Sequence, residues 1–245
     1  MTLFKDYGLS LDRIASIISQ TIEKGGKIAH CTLRVASWIR RFHTDQEARY
    51  VIEGFAHGFD WDADEPPSYE QVPNYVPEQW AHKVTAEIQL EIDAGRVVRV
   101  RKEDVVGVAA LCVVDKERSG MVKVRVVHNL SSPEGGSVND YTTVHPRKFS
   151  TVDQACTLMR PFACMAKVDL SKAYRSIPVA PRHWRTHVFE WDGVVYSDLR
   201  LPFGNAAAPG VFDCITQVIV RYMKAQGFPG VLGYIDDFLM VCTDE

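Results

Sequence analysis

The stretch VLGYIDDFLMV, residues 231–241, places Asp236 and Asp237 side by side in an otherwise apolar run. Burying an unpaired carboxylate is costly, so this placement requires a structural or chemical reason. Val231 to Ile235 and Phe238 to Cys242 are both strand-like, and a two-residue spacing is typical of a β-hairpin. The pattern predicts a packed hairpin with both aspartates in its turn. An exposed Asp-rich turn is the alternative, although Asp-Asp lacks the glycine that tight hairpin turns favour.

A second aspartate site is expected in MAKVDLSKAYRSIPV, residues 165–179. Met165 to Val168 predict a buried strand, with Asp169 at its end. Adjacent strands lie about 4.8 Å apart, so pairing with the hairpin would bring the carboxylates of Asp169 and Asp236 together. Clustered carboxylates repel one another unless a cation lies between them, and hard oxygen ligands suit Mg²⁺. The alternative is that Asp169 caps the residues that follow it.

A third segment, LRLPFGNAAAPGVF at residues 199–212, precedes a predicted helix. Its proline, its glycine and the small residues Ala206 to Ala208 give a surface from which few side chains project. Such a surface allows flat groups such as bases to approach the backbone closely. Helix packing explains small residues equally well.

The rest of the chain mixes helical and strand patterns without βα repeats, which favours an α+β fold. Three helices are predicted in residues 1–60, one capped by Ser10 and one by a Thr44–Glu47 capping box. An acidic, proline-rich linker follows at residues 61–77, and the main domain spans 78–245. Within that domain we predict a helix over 78–94, strands in 97–106, 107–115 and 121–130, a hairpin about Asp192-Gly193, and a helix from Pro209 to Ala225 that stops at Gly227.

The net charge of −3 is unevenly distributed. Residues 95–185 hold 16 Lys and Arg against 8 Asp and Glu, whereas the remaining residues hold 12 against 23. A basic middle permits contact with nucleic acid but equally fits a solvated charged surface. The six cysteines form no CxxC pair, and no secretion signal or membrane-length apolar run is visible, so we expect an intracellular protein with reduced thiols and no membrane partner.

Together the three segments resemble motifs A, B and C of reverse transcriptases: Asp-x-x-x-Ala-Tyr, LPFG-x-x-x-AP-x-x-F and Tyr-x-Asp-Asp, in that order. KVRVVHNLSSPEGGSVND is similar to the fingers signature of retroelement polymerases. YVIEGFAHGF and the helix ending in DAGRVVRV also resemble tyrosine-recombinase retroelements of the DIRS and Ngaro kind. The resemblance covers residues 50–245. It implies right-hand polymerase fingers and a ferredoxin-like antiparallel palm sheet with helices on one face.

The resemblance also implies roles for individual residues. Two Mg²⁺ ions, or Mn²⁺ as a possible substitute, would be held by Asp169, Asp236, Asp237 and the Leu170 carbonyl. The triphosphate would contact Lys116 and Arg125, and Tyr174 would exclude a ribose 2′-hydroxyl. The remaining assignments are Phe203 and Gly204 in the floor of the nucleotide pocket, and Tyr234 and Ile235 near the primer end. The implied partners are dNTPs, a primed RNA or DNA template, and the rest of a retroelement polyprotein with its RNase H and recombinase.

Departures from the family pattern leave other functions open. Asn129 replaces the usual Asp, and Asn205-Ala206-Ala207 replaces Leu-x-Ser. The sequence stops eight residues after Asp237, so we expect no thumb and either a fragment or a remnant that binds nucleic acid without turnover. A viral RNA polymerase usually has Gly before its Asp pair. His183 and His187 have the spacing of a helical zinc pair but no apparent third ligand.

Overall fold

The computed structural model describes residues 45–118 and 121–242, without the side chains of 116–118 and 121–123. The helices predicted before residue 44, with the Ser10 cap, lie outside the described residues. Helices and three antiparallel sheets confirm the α+β fold class. In chain order the elements are α1 (Gln46–His57), α2 (Ala81–Asp93), β1 (Val97–Arg99), β2 (Ala110–Arg118), β3 (Met121–Asn129), α3 (Val152–Leu158), β4 (Cys164–Asp169), β5 (Val188–Trp191), β6 (Val194–Asp198), α4 (Ala208–Ala225), β7 (Val231–Tyr234) and β8 (Asp237–Cys242).

The acidic hairpin, which consists of β7, β8 and the turn between them, belongs to a sheet with the strand order β4-β8-β7. Tyr234 pairs with Asp237 across the hairpin, so its two turn residues are Ile235 and Asp236. The prediction that both aspartates occupy the turn was therefore wrong by one position, because Asp237 already belongs to β8. Ile235 has φ 52°, which is rare for a β-branched residue, and its carbonyl accepts a hydrogen bond from the Thr216 hydroxyl on α4.

β4 is an exposed edge strand of this sheet. Its side chains are exposed along its whole length, with Met165 at 61% and Val168 at 42% of full exposure. The expectation of a buried strand was wrong. The physical reason is that β4 pairs with β8 alone, and its two faces are not covered by the described part of the chain.

α4 forms the centre of the main core and supports the acidic hairpin from behind. Its buried side chains include Phe212, Ile215 and Val218. The packing against β7 is close, because a Cβ added to Gly233 would lie 2.3 Å from Thr216 Cγ2. The helix has proline in its first turn and is followed by Gly227 at φ 93°, as predicted.

α1 packs against α4, and its cap differs from the predicted one. The Asp45 side chain accepts hydrogen bonds from the backbone N–H groups of Glu47 and Ala48, which satisfies donors that a helix start leaves free. Thr44, the predicted cap, lies outside the described residues.

The other two sheets have the order β1-β6-β5 and β2-β3. Asp192 and Gly193 form the predicted tight turn between β5 and β6, with φ of 50° and 75°. β1 is shorter than the strand predicted over 97–106, because the chain forms a turn of 3₁₀-helix at Lys102–Asp104. Residues 61–77 run along the body of the protein, where the N–H groups of Tyr69 and Val72 donate to backbone carbonyls. Among the described helices, none combines the length and apolarity needed to cross a membrane.

Candidate functional site

A cleft of about 750 Å³ opens between the acidic hairpin, the end of β4, β3 and α2. Most of the site residues implied by the sequence resemblance line this one space. They are Arg125, Asp169, Leu170, Tyr174, Phe203, Ile235 and Asp236. Gly204, Tyr234 and Asp237 do not line it, and the side chain of Lys116 lies outside the described part of the chain.

The pairing of β4 with β8 brings the two cleft aspartates to one end of the sheet. Asp169 lies directly opposite Asp237 in the register, and the Leu170 N–H donates to the Asp236 carbonyl over 3.0 Å. The backbone that carries Asp169 is therefore hydrogen-bonded to the turn that carries Asp236. Asp169 does not cap a helix, since the following 3₁₀ turn, Tyr174–Ser176, starts without a side-chain cap.

Asp237 is oriented differently from the other two aspartates. Its Oδ1 lies 3.0 Å from Lys167 Nζ on the neighbouring strand. Both side chains are substantially exposed, at 41% for Asp237 and 65% for Lys167, so this ion pair contributes little to stability. It does hold the Asp237 carboxylate beside β4.

The donor atoms of the cleft fit a hard divalent cation. Among the described side chains, Asp169 and Asp236 have no cationic partner, so both carboxylates are available to an ion. No set of three or more His, Cys, Asp or Glu side chains in residues 45–118 and 121–242 is arranged as a metal centre. A cation here would therefore be held by two carboxylates and backbone oxygen, with further positions for water and phosphate, which is the usual way that proteins bind Mg²⁺.

Tyr174 lines the cleft, and two phenylalanine rings pack against it. Its ring packs against Phe203 and Phe212, with centroid distances of 5.4 and 5.6 Å. Burial, with smaller contributions from the negative charge of Asp236 and from Tyr234, raises the pKa of its phenol to about 12. The ring is therefore held by two aromatic neighbours while it lines the cleft.

The LPFG loop lies against β3, and its glycine is required by this contact. The His128 N–H donates to the Phe203 carbonyl over 3.0 Å. Gly204 has φ 106°, and an added Cβ would lie 2.0 Å from the His128 carbonyl oxygen. No other residue fits this position without moving the loop or the strand. The loop that carries Phe203 is thus fixed to the strand that carries Arg125.

Asn139, from the SVND signature, fixes the other side of the same loop. Its side-chain Nδ2 donates to the carbonyl of Gly204 over 2.9 Å and to Ser131 Oγ over 2.8 Å. Its Oδ1 accepts from the N–H of Ala206 over 2.9 Å. The asparagine satisfies loop backbone groups that have no secondary-structure partner, which explains an amide at this position.

Arg125 lies on β3 opposite Val114, and its exposed side chain reaches the cleft. It makes no ion pair with the side chains that the structure describes, so its charge is available to an anion. Lys116 pairs with Lys123 across the same ribbon, but its predicted triphosphate contact remains a prediction.

The sequence reasoning missed a buried ion cluster beside Tyr174. Arg175 donates to Glu91 on α2 over 2.7 and 3.0 Å and also contacts Asp198 on β6. Glu91 accepts two further bonds of 2.6 Å from Arg96. One signal was visible in the sequence: Glu91 occupies the same helix face as Val84 and Ile88, where an apolar residue is expected.

His183 and His187 make separate contacts instead of sharing a ligand. The His183 ring stacks on Trp61 with centroids 3.9 Å apart and bonds Asp60 over 2.8 Å. His187 is fully buried, and its Nε2 lies 3.0 Å from Asn205 Nδ2. Burial lowers the pKa of both imidazoles. Asn205, one of the departures from the family pattern, is therefore a hydrogen-bond partner of the buried His187.

Comparison with known proteins gives structural neighbours only. No protein-family model and no curated protein sequence matches the chain. A foamy viral protease-reverse transcriptase in complex with an RNA/DNA hybrid matches 76% of the chain with a TM-score of 0.60 and 17% identity. The native prototype foamy virus enzyme matches 74% with a TM-score of 0.57 and 21% identity. A complex of the foamy viral enzyme with double-stranded DNA matches 98% with a TM-score of 0.58 and 16% identity.

The chain has a reverse-transcriptase-like fold. The sheet β4-β8-β7 with α4 behind it corresponds to the expected palm, and the β2-β3 ribbon to the expected fingers, so the fold class is confirmed. The matched regions span 23%, 22% and 46% of those three solved chains. Activity, substrates and partners are therefore proposals for this chain.

Proposed function

We propose that this chain is the fingers and palm of an RNA-directed DNA polymerase from a retrotransposon of the DIRS or Ngaro kind. One observation carries the proposal: a single cleft collects Asp169, Asp236, Tyr174 and Arg125, which come from three separate segments. Two carboxylates, an aromatic wall and an unpaired cation are the groups that nucleotidyl transfer needs at one place. The fold of the foamy viral enzymes supports this assignment.

Asp169 and Asp236, with the Leu170 carbonyl, would hold two Mg²⁺ ions, and Asp237 would be a supporting ligand once released from Lys167. When bound, Mg²⁺ makes a primer 3′-hydroxyl more acidic and neutralises charge on the phosphate oxygens. Mn²⁺ prefers the same oxygen ligands and would serve as a substitute.

The other cleft residues bind and orient the nucleotide. Arg125 contributes a positive charge toward the triphosphate, where charge develops on the phosphate oxygens during transfer. Phe203 forms the floor, and the Tyr174 ring excludes a 2′-hydroxyl because Phe203 and Phe212 prevent it from moving away. Catalysis by this site is then mainly positioning and electrostatics, with no covalent intermediate on the protein.

A primed template is the proposed macromolecular partner. The exposed basic residues of segment 95–185 would contact template and primer phosphates, which gives salt-dependent and largely sequence-independent binding. Complexes of the neighbouring foamy viral enzymes with double-stranded DNA and with an RNA/DNA hybrid are consistent with such a partner. The RNase H and recombinase of a retroelement are further proposed partners.

Primer extension tests the proposal directly. The chain is supplied with Mg²⁺, dTTP and oligo(dT) annealed to poly(rA), and the Asp236→Asn variant is measured beside it. We expect incorporation by the native chain, loss in the variant, and equal binding of the primed duplex by both. Duplex binding without incorporation by the native chain would instead identify a nucleic-acid-binding protein without turnover, and equal incorporation by the variant would reject the site.

A further inference from the structure

A buried ion cluster forms one wall of the cleft, and its centre is Arg175. The side chain is 12% exposed and donates to carboxylates from two different elements, Glu91 of α2 and Asp198 of β6. Arg96 occupies the other side of Glu91, at 2.6 Å. Lys172 Nζ lies 3.5 Å from Glu91 Oε1, so three cationic side chains surround the two carboxylates.

The fixed shape of the guanidinium determines what this cluster can do. Arginine presents its donors in a rigid planar fork, so an arginine held by two carboxylates has one orientation. Glu91 accepts hydrogen bonds from Nε and Nη2, and Asp198 accepts one from Nη1. The backbone of residue 175 is therefore fixed relative to both α2 and β6.

Arg175 directly follows the turn of residues 169–174, which carries Asp169 and Tyr174. Lys172 adopts φ 54° within that turn, a conformation that residues other than glycine rarely adopt. The Ser176 N–H donates to the carbonyls of Lys172 and Ala173, and the Ile177 N–H donates to Tyr174. These short-range bonds close the end of the turn. At its start the Leu170 N–H donates to the Asp236 carbonyl, and the half-exposed Lys172 ammonium lies 3.5 Å from Glu91. The buried side chain of Arg175 connects the end of the turn to two elements, α2 and β6.

We propose that Arg175 is a positioning residue, which holds the Asp169–Tyr174 turn in the cleft by joining it to Glu91 and Asp198. The inference rests on the proposed function for its catalytic meaning. It adds a dependence that the sequence resemblance does not include: the turn that carries Asp169 and Tyr174 is also held by the side chain of Arg175, through its contacts with Glu91 and Asp198.

Arg96 supplies a matched control for the test. Arg96→Met and Arg175→Met each remove one arginine from Glu91. Arg96, however, lies five residues after Glu91 and connects α2 only to the start of β1. Loss of stability alone affects both variants, whereas loss of positioning affects only Arg175→Met. Arg175→Lys keeps the charge but not the fork.

Amide hydrogen exchange measures the position of the turn without any reference to activity. In Arg175→Met we expect exchange at Ser176 and Ile177 to accelerate at least ~10-fold relative to the native chain, with little change in Arg96→Met. If Arg175→Met does not fold, a triple variant takes its place in the comparison: Arg175→Met with Glu91→Leu and Asp198→Asn. This variant has no carboxylate at position 91 or 198 that would be left unpaired. Equal exchange in the arginine variants, or no change in either, overturns the proposal.

Steady-state kinetics then connects the position of the turn to the reaction. We expect kcat for dNTP incorporation to fall ~100-fold in Arg175→Met with a smaller change in KM. The preference for dNTP over rNTP should also fall, with partial recovery in Arg175→Lys and none of these effects in Arg96→Met. Unchanged kcat and unchanged selectivity in a variant with faster exchange overturn the catalytic part.

The two proposals fail in different ways. If the native chain incorporates no nucleotide, the proposed function fails, while the exchange comparison still decides whether Arg175 holds the turn. If the native chain is active and exchange does not respond to Arg175→Met, the positioning role fails and the polymerase assignment stands.

Discussion

Leu170 and Asp236 are joined by a backbone hydrogen bond of 3.0 Å, from the Leu170 N–H to the Asp236 carbonyl. This bond fixes the end of β4 to the turn of the acidic hairpin. The neighbouring register pairs Asp169 with Asp237, so a displacement of one aspartate displaces the others. The site is therefore specified by strand pairing before any ligand binds.

The three aspartates should differ in importance. Asp169→Asn and Asp236→Asn remove cleft carboxylates, and we expect each to lower dNTP incorporation roughly 10³-fold, as for loss of a main electrostatic group. The loss of incorporation in Asp237→Asn should be at least ~10-fold smaller than in the other two variants, because the Asp237 carboxylate pairs with Lys167. Single-nucleotide primer extension under matched duplex saturation measures all three. A larger loss for Asp237→Asn than for Asp169→Asn would reverse the assignment.

Gly204→Ala should strongly destabilise the protein. The added Cβ would lie 2.0 Å from the His128 carbonyl oxygen, at a backbone φ of 106°. We expect the free energy of unfolding to fall by about 3 kcal/mol or more, measured by urea denaturation. Gly193→Ala is the matched control, since φ is 75° but nothing lies within 4 Å of the added atom, and its cost should be about 1 kcal/mol. Equal costs would mean that the contact with His128 does not require glycine.

The ring of Tyr174 should control sugar selection. Tyr174→Ala removes the ring that Phe203 and Phe212 hold in place, and the preference for dNTP over rNTP should fall roughly 100-fold. Tyr174→Phe keeps the ring and should retain most of the preference. The ratio of kcat/KM for dTTP and UTP on the same primed template provides the measurement. A preference that survives in Tyr174→Ala would assign sugar selection elsewhere.

Stability should fall as the pH drops from about 6.5 toward 4 because of His128. Burial, opposed in part by Asp198, lowers the pKa of its imidazole from 6.5 to about 4. Between these pH values His128 binds a proton in the unfolded chain but not in the folded chain. The stabilisation is therefore present above pH 6.5 and lost as the pH falls through 4. The effect is about 3 kcal/mol at the most.

Urea midpoints at pH 7.5, 5.5 and 4.5 measure this dependence. His128→Gln carries no titrating group, so its stability should change less over that interval. His82→Gln, at an exposed position on α2, should follow the native chain. Identical pH dependence in the native chain and His128→Gln would contradict the assignment. His183 and His187, whose pKa values burial also lowers, would then account for the dependence that remains.

The type of each element near the site could be predicted from the sequence, because local patterns encode it. A tight turn separates the apolar flanks of the hairpin, Pro209 starts α4, and Gly227 follows its end. The spacing of the three motifs also indicated which residues meet, since strand pairing brings Asp169 to the acidic hairpin.

The strand register and the exposure of side chains depend on contacts between distant segments, so local patterns do not give them. Asp237 lies on β8, one position after the turn. Ile235 occupies the turn in its place, with a φ that β-branched residues rarely adopt, and the Thr216 hydroxyl on α4 donates to its carbonyl. β4 reads as a core strand but is exposed, since burial depends on neighbours from distant segments. The contacts of Arg175 with Glu91 and Asp198 join residues 84 and 23 positions apart. No local pattern encodes such a contact, because only the folded chain brings these charges together.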